Sequence, residues 1–494
     1  MPSKNTCKII ISYFFCNFNA FQLFCVKRWI LIREDKIVVR LDLRRSANDK
    51  YFICYIQKKR EGRFYIQVKL QFDVLCKKKQ KNTKKIKKYY ENPLKKYCLC
   101  DIIDKVFTKL KEENKEVKEV FMKKIQKIAI LTAGGDCPGL NPVIRAVTRT
   151  AISKYGLEVV GVKNGYFGLY HGNFIKLGLD NIDEIITRGG TILGSSNKDN
   201  LFQYPVKDEN GNLVRGEDGK LIYEDVSDVA VKNLEAEGVD AIFILGGDGS
   251  LTSARDFARK GVNVIGIPKT IDNDLAHTDY TFGFDTAITV ASESLDRVRT
   301  TGMSHDRIMV VEIMGRGAGW MTLHAGIAGA ADVILIPEIP YDINKVAEKL
   351  NEDKKNGKTF AIVAVAEGAK PLGGKQFVSK VIEDSADSIR LGGVGAVIAD
   401  QLEKLTGLES RATTLGHIQR GGTPSPRDRV LSSRYGYAAV ELCMKGGFGR
   451  MVALQGDKII DVSLEDVIGQ KTKNVNPDGE FVTLAKAMGV CFGD

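Results

Sequence analysis

Glycine is nearly missing from the first quarter of this 494-residue chain: of its 49 glycines, only Gly62 falls within residues 1–121. Glycine-poor chain makes few tight turns, so this stretch is excluded from the loop-rich architecture of the remainder. Cysteine shows the opposite bias. Seven of the ten lie in residues 1–121, and the other three, Cys137, Cys443 and Cys491, have no metal-ligand spacing and imply no disulfide framework. Their scarcity fits a reducing compartment, and a cytoplasmic location is expected. Long apolar runs are lacking as well. Ile9–Val26 comes nearest to a membrane span, but Asn17, Asn19 and Gln22 interrupt it and no clean small-residue cleavage site follows.

Charge divides the chain at the same place. Residues 1–121 carry 30 Lys+Arg against 13 Asp+Glu, so the formal charge of +12 splits into +17 there and −5 in the rest. The lysine-dense run Lys77–Lys88 cannot pack against itself, and residues 1–121 are expected to be a solvated basic extension, disordered or loosely helical. A basic patch can attract RNA or an anionic membrane, yet this one lacks interleaved stacking aromatics or a recognisable module. Met122 opens the string Met-Lys-Lys-Ile-Gln-Lys-Ile-Ala-Ile-Leu, which reads like a protein starting on its first strand. The expectation is therefore a non-native or accessory extension followed by a catalytic domain over 122–494, with no nucleic-acid or membrane partner for the latter.

From residue 122 onward, β-branched runs alternate with segments of helical length. Ile128–Leu131, Val159–Val162, Ala241–Leu245, Val262–Ile267, Ile308–Ile313, Val333–Ile336, Phe360–Ala366 and Val452–Leu454 read as strands. Leu140–Ser153, Thr286–Thr301, Ile343–Asp353 and Gly392–Leu405 read as helices. Continuous apolar strands between helices predict an α/β fold of mostly parallel sheets covered on both faces, with ligands beyond the carboxyl ends of the strands. Asn-Gly and Asp-Gly pairs within 208–220 predict an inserted surface hairpin.

Chemistry concentrates at strand ends. Pro268-Lys269-Thr270-Ile271-Asp272-Asn273-Asp274 places acids and a hydroxyl on a turn after an apolar run, and Gly246-Gly247-Asp248-Gly249-Ser250 follows another. A third turn, Thr132 to Asn141, joins strand to helix, where glycines and a helix amino terminus favour phosphate oxygens. Alone, such a turn is as often structural as functional. It lacks the Gly-Lys-Ser/Thr of a phosphate loop and the spacing of a dinucleotide fingerprint. Together with Gly189–Gly194, these turns point to a phosphate-handling active site.

The order of these motifs resembles the 6-phosphofructokinase family over residues 126–460. Further strings match in sequence order: Ser304-His305-Asp306-Arg307, Met314-Gly315-Arg316, Ala366-Glu367, and Arg411 to Gly422. The resemblance implies two Rossmann-like α/β lobes with the active site between them. The donor lobe would cover about 122–283 plus about 419–470, and the sugar-phosphate lobe about 284–418 plus the carboxyl-terminal segment. It implies phosphoryl transfer to the 1-hydroxyl of fructose 6-phosphate, with Asp272 as general base and Thr270 and Arg316 meeting the transferring group. ATP would be held by Gly135, Asn197, Lys198, Gly247, Asp248, Gly249 and Ser250, with Asp248 on Mg²⁺. The sugar phosphate would meet Thr270, Ile271, Asp272, Arg307, Met314, Gly315, Arg316, Glu367, Arg411, His417, Ile418, Gln419 and Arg420. By the same analogy Arg307 and Arg411 come from a neighbouring subunit, so a homo-oligomer, a tetramer, is implied.

Donor identity turns on Gly249 and Lys269. Pyrophosphate-using relatives commonly carry an aspartate at the first position and lysine at the second. An acid there would oppose a nucleotide's α-phosphate, whereas glycine leaves space and amides. The pair present resembles ATP-using members of the branch that also holds pyrophosphate enzymes, so ATP is expected and pyrophosphate is the alternative. Two departures stand out. Asn197 and Lys198 replace an arginine that contacts ATP in many bacterial members. Arg145, Arg149 and Arg299 align with a basic effector site, but Leu179 falls where another arginine is usual. Two other classes fit less well: a catalytically silent regulatory or nucleic-acid-binding protein, against which Asp248, Asp272, Arg316 and Arg420 argue, and a lipid or dinucleotide kinase sharing only the Gly-Gly-Asp-Gly turn, which need not carry the His417–Gly422 string.

Overall fold

The computed structural model describes residues 125–494, apart from 198, 383–388, 469 and 471, together with strand segments between Cys7 and Gln71. The chain divides into two compact units, Met1–Lys115 and Glu116–Asp494. In the first, β1 (Cys7–Ile11), β2 (Phe15–Phe18), β3 (Phe21–Arg33), β4 (Lys36–Arg45), β5 (Asn48–Lys58) and β6 (Phe64–Gln71) pair antiparallel in the order β1-β3-β4-β5-β6, with β2 also on β3. These strands differ from the disordered or loosely helical segment the sequence predicts. Stretches such as Lys-Ile-Val-Val-Arg-Leu and Tyr-Phe-Ile-Cys-Tyr-Ile are rich in β-branched and aromatic residues, which suit a pleated strand whatever the glycine content. The lysine run Lys77–Lys88 and Met122 lie outside the described residues.

In the second unit the apolar runs are strands. They are β7 (Lys127–Thr132), β8 (Glu158–Val162), β9 (Phe174–Leu177), the short pair β10 (Tyr204–Pro205) and β11 (Tyr223–Glu224), β12 (Ala241–Gly246) and β13 (Val264–Pro268). There follow β14 (Ile308–Ile313), β15 (Val333–Leu335), β16 (Ala361–Ala366), β17 (Val378–Val381), β18 (Ile389–Leu391), β19 (Ser410–Thr414), β20 (Arg450–Gln455) and β21 (Lys458–Ser463). One sheet runs β21-β20-β13-β12-β7-β8-β9 and another β15-β16-β14-β19. The second is wholly parallel, and the first is parallel from β20 to β8 with an antiparallel strand at each edge. Strands β12, β13, β14 and β16 are buried along their whole length, which is why they read as unbroken apolar runs.

Register decides what the strands present. Leu245 of β12 pairs with Thr132 of β7, and Gly246 with Pro268 of β13, so the turns after all three strands leave the sheet side by side. In the other sheet Ile313 pairs with Ala366 and Glu312 with Thr414, so the segments after β14, β16 and β19 also emerge together. Strand order reverses at β7 in one sheet and at β14 in the other, the switch points where α/β sheets open a crevice. The inserted hairpin is present and folds back twice: Val214 donates to the Val206 carbonyl and Ile222 to that of Val214, with Gly211 and Gly219 in left-handed turns.

Two buried acids, neither evident from sequence pattern, fix helices around this frame. Glu312, 3% exposed within β14, accepts the N–H groups of Gly393 and Gly395 at the start of the helix Val394–Thr406. Asp428, 1% exposed, accepts from Gly283 N at 3.0 Å and from the Thr286 N–H and hydroxyl at 2.8 and 2.6 Å, capping the helix Phe284–His305. Burial pushes the Asp428 carboxyl up to about 6. Asp428→Ala should therefore leave three donors unsatisfied and lower stability by about 3 kcal/mol in denaturant unfolding. A loss within experimental error would show that water replaces the carboxylate.

Candidate active site

The three phosphate-type turns are locked to one another by backbone bonds. Ala133 donates to the Leu245 carbonyl at 3.0 Å, Gly134 to that of Ser196 at 2.9 Å, and Lys269 to that of Gly246 at 3.0 Å. The Lys269 side chain, 4% exposed, turns back and donates its ammonium to the Gly135 carbonyl at 2.5 Å. A Cβ on Gly134 would lie 3.3 Å from both the Lys269 Nζ and the Ser250 Oγ, so only glycine lets these groups approach without adjustment. Burial lowers the Lys269 pKa, and the Arg420 charge adds to that effect. Lys269 is thus a cross-link beneath the glycine turns as well as a charge beside them.

Asp248 begins the helix Asp248–Arg259 and is exposed, with Gly247 as the residue before it. A Cβ on Gly249 would meet nothing within 4 Å, which leaves open space over the turn. Asn197 is exposed beside Ser196, on the loop that reaches the first turn, while Lys198 lies outside the described residues.

The acidic turn has a rigid frame. The Thr270 hydroxyl donates to Asp272 Oδ2 at 3.1 Å and accepts the Asp272 N–H at 3.1 Å, so one side chain orients the carboxylate and closes the turn. Asn273 takes a left-handed conformation with φ of 53°, and its Oδ1 accepts from Thr281 N at 3.0 Å. The Thr281 hydroxyl in turn donates to the Thr270 carbonyl at 2.7 Å. Thr270 and Asp272 are each 8% exposed, and Ile271 is fully buried, so its side chain serves packing. Burial, with the Asp272 charge beside it, pushes the Asp274 carboxyl up to about 7; Asp248 contributes in the same direction and Arg316 opposes. Those influences put Asp248, Asp272, Asp274 and Arg316 in one electrostatic neighbourhood.

The second sheet contributes the facing half. After β14, Met314 donates its N–H to Gln419 Oε1 at 3.0 Å, and Gln419 is completely buried. Gly315 and Arg316 donate their N–H groups to Glu367 Oε1 at 3.3 and 2.8 Å. Burial raises the Glu367 pKa against those bonds. Arg316 is exposed and has φ of 55°, a strained conformation for an arginine. Gly368 makes room for it, since a Cβ there would sit 2.1 Å from the Arg316 carbonyl oxygen. His417 and Ile418 are exposed on the short helix Gly416–Arg420. Arg420 reaches across and donates to the Asp136 carbonyl at 3.1 Å, joining this half to the first glycine turn.

Arg307 and Arg411 are not brought together with the others. They stand at the amino ends of β14 and β19 and both pair with Glu409, Arg307 Nε at 2.6 Å. A strand of six residues separates that edge by roughly 20 Å from Met314–Arg316. Arg145, Arg149 and Arg299 lie elsewhere and hold local contacts: Arg149 pairs with Asp183, and Arg299 donates to the Gly329 and Ala330 carbonyls at 2.6 and 2.7 Å. Among the described residues no group of three or more His, Cys, Asp or Glu side chains is arranged to hold a metal. No helix among them is long and apolar enough to cross a membrane.

Comparison with known proteins follows the same residues. A phosphofructokinase family model matches residues 127–443. The chain is 62% identical over 374 residues to ATP-dependent 6-phosphofructokinase 2 of Clostridium perfringens, a match covering 76% of this chain and 100% of that protein. It is 47% identical over 353 residues to a pyrophosphate–fructose 6-phosphate 1-phosphotransferase of Amycolatopsis methanolica, covering 71% of this chain and 97% of the other. A solved phosphofructokinase from Saccharomyces cerevisiae aligns with a TM-score of 0.58 at 31% identity, over 70% of this chain and 45% of the yeast chain. Motif order, the two facing strand-end clusters and these similarities together establish that the chain belongs to the phosphofructokinase family.

Proposed function

We propose that the second unit transfers the γ-phosphoryl group of ATP to the 1-hydroxyl of fructose 6-phosphate, giving fructose 1,6-bisphosphate and ADP in the cytoplasm as a step of glycolysis. The observation that carries this reading is the meeting of two strand-end clusters, one with Asp248 and Asp272 and the other with Arg316 and Glu367. The acceptor's primary hydroxyl is a poor nucleophile near neutral pH, so a carboxylate must take its proton as the bond forms. Asp272 fills that role, held by Thr270. Arg316 approaches the phosphoryl oxygens from the facing sheet, where a fixed cation offsets the charge that grows in the transition state.

The donor lies along the glycine turns of Gly135 and Gly247–Ser250, whose amides suit phosphate oxygens, with Asn197 on the neighbouring loop. Asp248 fits a Mg²⁺ site of the usual nucleotide type, in which one protein carboxylate is completed by substrate phosphates and water. The exposed carboxylate and the open space at Gly249 agree with that arrangement. Bound there, Mg²⁺ supplies charge neutralisation on the donor phosphates. Glu367, Met314 and the segment His417–Arg420 receive the sugar phosphate. Arg307 and Arg411 serve the site of a neighbouring copy, which makes a homo-oligomer, most simply a tetramer, the working form.

The space at Gly249 yields a direct test of donor choice. Gly249→Asp places its Cβ where nothing lies within 4 Å, so folding and melting temperature should be unchanged. With γ-labelled ATP and fructose 6-phosphate, its kcat/KM for ATP should fall at least about tenfold through charge repulsion. Unaltered ATP kinetics would mean that the donor does not pass Gly249.

A further inference from the structure

The segment Lys473–Val475 touches both halves of the site at once. Toward the acidic turn, Lys473 donates its backbone N–H to the Asp274 carbonyl at 2.8 Å, and its ammonium to the carbonyls of Thr278 and Asp279 at 2.9 and 3.0 Å. Toward the Arg316 loop, the Trp320 indole N–H donates to the Lys473 carbonyl at 2.7 Å. Two residues on, Val475 donates to Glu338 Oε1 at 2.9 Å, and the Glu338 carboxylate also accepts the Gly319 N–H at 2.9 and 3.1 Å. The Lys473 ammonium lies 5.7 Å from the Trp320 ring centre. Trp320 opens the helix that directly follows the Met314–Gly319 loop.

Burying an ammonium is costly unless its environment compensates. Here the compensation comes from two carbonyls, the Trp320 ring and the nearby Asp274 and Asp279 charges; burial still lowers the Lys473 pKa to about 8. An apolar side chain could fill the same space at no such cost, but it could not hold the Thr278–Asp279 carbonyls. The backbone N–H of this one residue binds the acidic turn at Asp274 and its ammonium binds the Thr278–Asp279 carbonyls that follow the turn, while its carbonyl holds the indole of the opposite half.

We propose that Lys473 is a positioning residue that sets the separation between the Asp272 turn and the Arg316 loop. This rests on the reading that Asp272 and Arg316 act on the same phosphoryl transfer. Each substrate's contacts lie largely within one half, so a shift between the halves leaves binding in place and misaligns the reacting groups.

Steady-state kinetics of the full chain with ATP, Mg²⁺ and fructose 6-phosphate test this, alongside thermal unfolding. Lys473→Met is expected to lower kcat about tenfold with both KM values within about twofold, and Lys473→Arg to recover to within about threefold of the parent. Trp320→Phe keeps an aromatic ring but removes the donor to the Lys473 carbonyl together with part of the indole's volume, so it should lower kcat in the same manner. The proposal is overturned by a parental kcat in both Lys473→Met and Trp320→Phe, by a loss confined to KM, or by Lys473→Arg behaving like Lys473→Met. Should Lys473→Met not fold, a parental kcat in Trp320→Phe overturns it alone. Failure of the underlying reading looks different: it would appear as an Asp272→Asn variant with normal turnover, whatever Lys473 does.

Discussion

Asp272→Asn should lower kcat about 10³-fold while the KM for fructose 6-phosphate stays within about twofold. The substitution keeps shape and retains an acceptor for the Thr270 hydroxyl, so the turn framed by Thr270, Asn273 and Thr281 has no reason to move. What is lost is an oxygen able to take the proton as the phosphorus–oxygen bond forms. Asp274 stands close by, but the Thr270 hydroxyl orients the side chain at position 272, so that position and not Asp274 is held in place for the proton. Initial rates at saturating substrates decide the matter: a kcat within tenfold of the parent would remove Asp272 from the role of base.

Arg316→Ala is expected to have the second-largest effect, a loss in kcat of about 10²-fold or more. The local backbone supports this assignment. An arginine with φ of 55° is strained, and the surroundings maintain it through the Glu367 carboxylate on its N–H and the bare backbone of Gly368 behind its carbonyl. A side chain needed only for solubility would not require such an arrangement. Arg316→Lys should fall between parent and alanine variant, because a point charge replaces a planar fork. If the alanine variant loses affinity for the sugar phosphate but turns over normally, Arg316 is a binding residue and not a transition-state donor.

Much of the catalytic unit was legible in the sequence because its central strands are buried on both faces. Ala241–Leu245 and Ile308–Ile313 read as strands from their apolar runs, and the structure has strands at Ala241–Gly246 and Ile308–Ile313 with the glycine and charged motifs following them. Strand β19 escaped that reading although it carries Arg411. Its sequence Ser-Arg-Ala-Thr-Thr lies at a sheet edge and is largely exposed, so no apolar pattern marks it. The antiparallel edge strands β9 and β21 escaped for the same reason.

Residues that act through long-range hydrogen bonds left no local trace. Glu312 sits inside an apolar strand, Asp428 inside a helix, and Lys473 in an irregular segment, with partners 81 or more residues away. The sequence marks Lys269 as a candidate donor-specificity position, but not as the cross-link to Gly135, because that contact spans 134 residues. Conversely, the side chain of Ile271 is buried and that of Ile418 is exposed, so any part they take in binding the sugar phosphate lies with their backbone or with an exposed surface.

The most direct measurement compares donors. Purified chain is supplied with fructose 6-phosphate and Mg²⁺ and with either ATP or pyrophosphate, and fructose 1,6-bisphosphate is quantified. Robust formation with ATP, accompanied by ADP and exceeding that with pyrophosphate, is the predicted result. Product formed from pyrophosphate alone would contradict the assignment of the donor, and no product from either would contradict the assignment of the reaction.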